Sequence, residues 1–129
     1  MRYKRISKMS NKGRLIRECD RLFRQVLLKE RPHKCEWCGK QSDRLQVAHI
    51  LPKGSHPRLR YRRENVLLLD FPCHPERWHK DPLNANLFIE MYKGNNYIET
   101  LRQIESFMNK HDTLYLQGLI QNFKECSLC

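Results

Sequence analysis

The sequence has no long apolar run and no internal repeat. None of its 129 residues lies in an unbroken apolar stretch of about 18, the length a membrane-spanning helix needs. The basic start, Met1 to Arg5, is not followed by the apolar stretch of a signal peptide. We therefore expect a cytoplasmic protein. The length predicts one domain with flanking arms.

Acidic residues are scarce, with 14 Asp and Glu against 25 Lys and Arg, so the formal net charge is +11. The imbalance is greatest in residues 1–34, which contain twelve basic side chains and three acids, the first being Glu18. Such a charge predicts an anionic partner, most often nucleic acid, with an affinity that falls as salt rises. The alternative is a basic surface that is merely solvated.

The first 32 residues predict a basic arm followed by an amphipathic helix. Leu15, Cys19, Leu22 and Val26 recur at spacings of three and four, which indicates one apolar helix face between about residues 11 and 30. Pro32 ends the helix. The other faces carry cations, of which Arg14 and Arg17 are candidates for phosphate contacts. The alternative is a packed helix with a solvated basic side.

The cysteines predict a metal site. Six cysteines in a reducing compartment favour metal binding over disulfides. Cys35 and Cys38, two residues apart and followed by Gly39, have the spacing of a zinc knuckle. Cys73 is the best third ligand, and Asp70 stands three residues before it, so a site with three thiolates and one carboxylate is expected.

A second pair of cysteines competes with Asp70 for the fourth position. Cys126 and Cys129 repeat the same spacing at the end of the chain. They could fold back to complete the zinc site, hold a second zinc, or do neither. Position favours Asp70, whereas the preference of zinc for sulfur favours the tail.

Residues 45–69 predict a β-hairpin with a long basic loop. Residues 45–51 alternate in polarity and residues 65–69 are apolar, which suits two short strands. Between them Pro52, Gly54 and Pro57 indicate a loop. A short helix is expected to start at Cys73, with Pro75 in its first turn. The cations of the loop and its exit are candidates for binding a phosphate backbone: Lys53, Arg58, Arg60, Arg62 and Arg63.

The C-terminal part, residues 83–129, predicts several short helices that cover the hairpin. Asn96 and Asp112 are placed to cap two of them. Residues 81–129 contain six acids and four bases, so this part is not expected to be the main grip on DNA. The alternative is that these helices form a homodimer interface or bind a partner protein.

These motifs, in this order, resemble those of the HNH endonuclease family. The chain carries Cys-x-x-Cys-Gly from Cys35, Ala-His-Ile around His49, Asn-Val at Asn65 and Cys-His at His74. Within the family it is most similar to the small phage-encoded proteins of the lambda NinG type, which share a Pro-x-Leu-Arg stretch, here beginning at Pro57. The resemblance covers roughly residues 33–82. It implies an α+β fold. A ββα-metal core, stabilised by a structural zinc, is expected to lie between a basic N-terminal helix and C-terminal helices.

The resemblance also implies a role for single residues. His49 corresponds to the general base, Asn65 to the residue that braces the hairpin loop, and His74 to the ligand of the catalytic metal. His79 resembles a second metal ligand of some members. The structural zinc ligands correspond to Cys35, Cys38 and Cys73, with Asp70 where most zinc-containing members have cysteine. Ala48 replaces an Asp or His that binds the catalytic metal in many members.

The implied function is metal-dependent hydrolysis of DNA phosphodiester bonds in recombination or processing, by a phage or mobile-element protein in the host cytoplasm. The expected cofactors are a structural Zn²⁺ and a catalytic Mg²⁺ or Mn²⁺, with Zn²⁺ or Ni²⁺ as alternatives at the second site. Double-stranded or branched DNA is the expected partner. Because Ala48 cannot bind metal, the alternative is a non-catalytic zinc-containing module that binds DNA or serves a larger DNA-processing machine.

Overall fold

The computed structural model describes residues 10–128, with side chains up to residue 126. The first nine residues of the predicted arm, and Cys129, lie outside the described residues. Within this range the chain is mixed α+β, as expected, with a small two-stranded sheet. Its elements in chain order are α1 Asn11–Glu30, β1 Gln46–His49, β2 Val66–Leu69, α2 Pro82–Lys93, α3 Tyr97–Ser106 and α4 Thr113–Leu128.

Helix α1 has the predicted bounds because both ends carry clear signals. Ser10 caps it by accepting a hydrogen bond from the Gly13 N–H at 3.0 Å. At the other end the extended Arg31 precedes Pro32, which cannot continue the helix. The apolar stripe faces inward, where Phe23 stacks on Phe123 of α4 with ring centroids 5.5 Å apart. Thus α1 and α4 pack together.

The two strands form the predicted antiparallel hairpin, in which His49 lies opposite Val66 and Ala48 opposite Leu67. All four residues of β2 are buried, so this strand lies at the centre of the core. The connecting residues 50–65 form a long loop with two single helical turns, Pro57–Leu59 and Arg63–Asn65. After β2 the chain enters the short helical segment His74–His79, which packs against α2 and β1.

The C-terminal helices complete the core. Asp81 caps α2 and Asp112 precedes α4, each accepting a hydrogen bond from the backbone N–H three residues later. Asn96 occupies the cap position of α3 but in the left-handed region (φ 65°), and its side chain makes no capping bond, contrary to expectation. The buried residues form one cluster that draws on all three predicted segments, 1–32, 33–82 and 83–129. The division into these segments stays a prediction.

Helix α2 also has an exposed apolar side. Leu83, Leu87 and Met91 follow one another at intervals of four, and their exposed fractions are 73%, 52% and 87%. The predicted dimer or partner surface on the C-terminal helices stays a prediction. No helix in residues 10–128 combines the length and apolar character needed to cross a membrane.

Candidate active site and metal centre

Three cysteines from two distant segments converge. The Sγ atoms of Cys35, Cys38 and Cys73 all lie within 4.8 Å of one another. The turn between the first two depends on Gly39, whose φ of 76° suits glycine and whose N–H donates to the Cys35 carbonyl at 2.8 Å. The Glu36 N–H donates to the Leu68 carbonyl at 2.9 Å and ties this turn to β2.

The donor set fits a soft divalent metal. Thiolates at about 2.3 Å from a tetrahedral zinc lie roughly 3.8 Å apart, which is inside the observed spread of the three sulfurs. The backbone N–H of Lys40 and the two neighbouring thiols lower the pKa of Cys38, whereas burial raises the pKa of Cys73 to about 12. The structure thus shows a three-cysteine group that can bind a metal; zinc is the interpretation that thiolate chemistry favours.

The structure does not bring Asp70 into this group. Its Oδ1 accepts hydrogen bonds from the Ser42 hydroxyl at 2.5 Å and from the Phe71 N–H at 2.9 Å. The Ser42 bond is the main cause of a pKa below the ordinary value for this carboxyl group. The carboxylate therefore serves the turn after β2, and its prediction as fourth ligand gains no support from the geometry.

Cys126, the competing ligand near the C-terminus, also lies outside the three-cysteine group. Cys126 is exposed and lies beside Arg63. Cys129 lies outside the described residues. In residues 10–128 the metal-binding group is therefore made of three cysteines, without a fourth side chain. Cys38 is exposed, so solvent reaches the group.

His49, the predicted general base, lies at the end of β1 with a defined tautomer. Its Nε2 is 3.0 Å from the Arg60 carbonyl oxygen. Because a carbonyl only accepts, Nε2 carries the proton and Nδ1 carries the lone pair. Burial lowers the pKa of His49 below its ordinary value of 6.5, so the ring is neutral at physiological pH. A neutral imidazole with a free lone pair can accept a proton.

The Arg60 carbonyl is held in place by a side-chain network. The Arg60 guanidinium makes two hydrogen bonds to the Asp20 carboxylate of α1, at 2.9 and 2.6 Å. The Tyr61 hydroxyl donates to the same carboxylate at 2.8 Å. Helix α1 thus anchors the loop that orients His49.

Asn65 joins the two ends of the long loop. The side chain is fully buried. Its Oδ1 accepts from the Leu51 N–H at 2.8 Å, and its Nδ2 donates to the carbonyls of Leu51 at 3.1 Å and Leu59 at 3.3 Å. Through these contacts Asn65 ties the end of the loop to residues 51 and 59.

His74 and His79 come together on the short helical segment. His74 Nδ1 lies 2.8 Å from the Gln46 Oε1, which only accepts, so Nδ1 carries the proton and Nε2 the lone pair. The Nε2 atoms of His74 and His79 are 2.9 Å apart. Two imidazoles at right angles on an ion at about 2.1 Å would be about 3.0 Å apart, so the pair fits a shared metal. The same pair can instead share a hydrogen bond donated by His79.

The three histidines line one cleft. Its volume is about 680 Å³, and Trp78 and Lys53 form part of its walls. Arg102 of α3 also lines it. Sequence reasoning missed Arg102 because it lies in the near-neutral C-terminal part, and helical periodicity does not show which exposed cation faces a cleft.

Ala48 lies on the other side of β1 from His49. Its side chain is buried, 1% exposed, and opposite Leu67. The alternation along the strand sends His49 to the cleft and Ala48 to the core.

The predicted phosphate-binding cations do not form one track. Three of them make ion pairs: Arg60 with Asp20, Arg62 with Glu64 at 2.9 Å and Arg63 with Glu30 at 2.8 Å. Lys53 lines the histidine cleft, and Arg58 lines a second one. Arg14 and Arg17 are exposed along α1 beside Arg21.

Comparison with protein-family models, with curated proteins and with solved structures finds no significant match. The resemblance to the HNH endonucleases, which was carried by short motifs, therefore stays a prediction.

Proposed function

We propose that this protein is a metal-dependent, HNH-type DNA endonuclease that hydrolyses phosphodiester bonds. One observation carries the proposal: three histidines share a cleft, and hydrogen bonds leave a lone pair on Nδ1 of His49 and on Nε2 of His74. One ring is thus prepared to accept a proton and the other to bind a cation. Metal-dependent hydrolysis of a phosphodiester uses both functions.

His49 takes the proton of the attacking water. Its neutral state at physiological pH follows from burial, and the Arg60 carbonyl holds the ring in the required tautomer. Lys53 and Arg102, which line the same cleft, hold phosphates of the bound strand. The products are a 5′-phosphate and a 3′-hydroxyl.

His74 and His79 are the residues that would hold the catalytic Mg²⁺ or Mn²⁺. When bound, this ion supplies positive charge for the phosphate and for the leaving oxygen. Gln46 fixes the His74 ring, because its Oε1 accepts a hydrogen bond from the His74 Nδ1–H. The three cysteines would hold a structural Zn²⁺, which would link the turn at residues 35–39 to the segment that follows β2.

The proposal is tested by nicking of a supercoiled plasmid in Mg²⁺ or Mn²⁺. The His49→Ala variant should lose nicking, whereas His33→Ala should keep it, because His33 is exposed and lies outside the cleft. Zinc content and melting temperature should be equal in the three proteins. If wild type cuts no supercoiled, linear or branched DNA with any divalent metal, the proposal fails.

A second candidate function is a non-catalytic zinc-containing module that binds DNA or a partner within a larger phage DNA-processing machine. Ala48 favours it, since the residue next to His49 is buried and cannot bind metal. The exposed apolar side of α2 also suits a partner protein. Salt-dependent DNA binding by a wild type that never nicks would select this candidate.

A further inference from the structure

A second cleft adjoins the histidine cleft. Its volume is about 580 Å³, within the range of roughly 300–1,000 Å³ that small-ligand sites occupy. Arg102 lines both clefts, and so the two are neighbours separated by this side chain. The walls of the second cleft come from the start of α1, the loop after β1, α3 and the connection to α4.

The walls of this second cleft carry an excess of positive charge. Its basic residues are Lys12, Arg58, Arg60, Arg102 and Lys110. Arg60 is neutralised by Asp20, and the one acid, Glu105, contacts His56 at 2.9 Å. Within residues 10–128 the other four cations make no ion pair.

Four cations and one carboxylate give the walls of the cleft a net positive charge, which attracts an anion. Lysine and arginine bind phosphate through charge-assisted hydrogen bonds, and proteins that bind single strands use positively charged grooves along the backbone. The cleft therefore has the electrostatics of a phosphate site, independently of the histidines.

Part of the same cleft is apolar, where Ile16 and Pro57 line it. A duplex keeps its bases paired inside, so it can place phosphates on the rim but no base in the cavity. A single strand can do both, because its unpaired bases are free to pack on apolar or aromatic surfaces. The combination of cations and apolar wall thus favours a single strand.

We propose that the second cleft binds single-stranded nucleic acid, with phosphates on Lys12, Arg58 and Lys110 and a base against the apolar wall. If the proposed function holds, on which this last step rests, the strand continues past Arg102 into the histidine cleft. The substrate class is then DNA with an unpaired segment next to the bond that is cut.

The test measures binding of a fluorescent oligothymidylate of eight residues in the His49→Ala background, so that the probe is not cut. The variant Lys12→Gln/Lys110→Gln removes two cations that line only the second cleft. The matched control is Lys34→Gln/Arg44→Gln, which removes the same charge from exposed positions outside both clefts.

The cleft variant, Lys12→Gln/Lys110→Gln, should bind the oligothymidylate at least tenfold more weakly than the His49→Ala protein does. Because each lost phosphate contact reduces the salt slope of single-strand binding by about 0.7, its slope of log affinity against log salt should fall by about 1.4. The control should keep the wild-type slope. A blunt duplex of equal length should bind the cleft variant and the control equally. If the cleft variant does not fold, Arg58→Gln alone should reduce the slope by about 0.7.

If the cleft variant and the control lose the same affinity for the oligonucleotide and have the same salt slope, the proposal is overturned, because net charge alone would then explain binding. Competition by thymidine monophosphate at the same concentration as the oligonucleotide would also overturn it, in favour of a free-nucleotide pocket. These readouts need no cleavage. A protein that binds the strand as described but never nicks DNA would defeat the proposed function and leave this inference standing.

Discussion

The Nε2 atoms of His74 and His79 lie 2.9 Å apart although the two residues are five positions apart in sequence. In an α-helix residues separated by three or four share a face, so a spacing of five is unfavourable for a shared ligand. The segment His74–His79 is instead a π-helical turn, whose wider winding brings residues five apart together. Such turns are frequent at functional sites.

The contact between Gln46 and His74 predicts a role for Gln46 in metal binding. Replacing it by alanine removes the acceptor that fixes the His74 tautomer. Loss of such an outer partner costs typically 10–100-fold in metal affinity. In Gln46→Ala the Mn²⁺ concentration for half-maximal nicking should therefore rise by about that factor, with little change in rate at saturation. Gln103→Ala, on an exposed position of α3, is the control and should behave as wild type.

Sequence motifs identified single residues of the site but not the geometry of the histidine pair. The zinc-knuckle spacing and the single residues His49, Asn65 and His74 were visible as motifs in the sequence, and their catalytic and bracing roles stay predictions. The π-helical turn was not visible, because the expectation for His79 used α-helical geometry.

The sequence also could not predict the ion pairs between residues that are far apart in the chain. The sequence suggested that Arg60 and Arg63 are available for phosphate, because residues 51–63 contain no acid. Their partners, Asp20 and Glu30, lie 40 and 33 positions away on α1. Only folding α1 against the loop brings these charges together, whereas the bounds of α1 followed from its own spacing and Pro32.

The pKa of His49 predicts how the nicking activity falls on the acid side of its pH profile. Burial favours the neutral ring and so places the pKa below 6.5. Because the base works in its neutral form, kcat/KM should rise with pH through a midpoint below 6.5 and be flat by about pH 7. Initial rates at several Mn²⁺ concentrations, with melting temperatures measured over the same range, give this profile.

Metal competition distinguishes the two histidines in that profile. Burial and the charges of His79 and His49 also lower the pKa of His74. Protons and metal compete for His74, so a midpoint due to it moves to lower pH as Mn²⁺ rises. A midpoint due to His49 stays fixed. A midpoint above 7 that does not depend on metal would contradict the assignment of His49.

The three-cysteine group predicts one tightly held zinc per chain. Cys73→Ser removes a ligand that joins the end of β2 to the turn at residues 35–39, so zinc content should fall below half and the melting temperature should drop. Cys126→Ser should retain full zinc, because Cys126 is exposed beside Arg63 rather than near the group. Atomic absorption and thermal melts measure both. Loss of zinc in Cys126→Ser would show that the tail reaches the metal.

Asp70→Asn tests the fourth position separately. The amide keeps an oxygen that can accept from Ser42 and from the Phe71 N–H, so the turn should survive. If the carboxylate is not a ligand, zinc content and affinity should equal those of wild type. A fall in zinc affinity of tenfold or more, measured by competition with a chelator, would restore Asp70 as a ligand.

Asn65 predicts a stability effect that separates bracing from chemistry. Asn65→Ala leaves the Leu51 N–H and the carbonyls of Leu51 and Leu59 buried without this partner. The Leu59 carbonyl keeps the Arg62 N–H as a donor. The two Leu51 groups that are left unsatisfied cost about 1–3 kcal/mol each, so the free energy of unfolding should fall by roughly 2–6 kcal/mol. Urea unfolding measures the loss, with the exposed Asn109→Ala as control. Since the loop also carries the Arg60 carbonyl that holds His49, nicking should fall even at temperatures where the variant is folded. A stable Asn65→Ala that has lost only its activity would instead place Asn65 in the chemistry, against its burial beneath the loop.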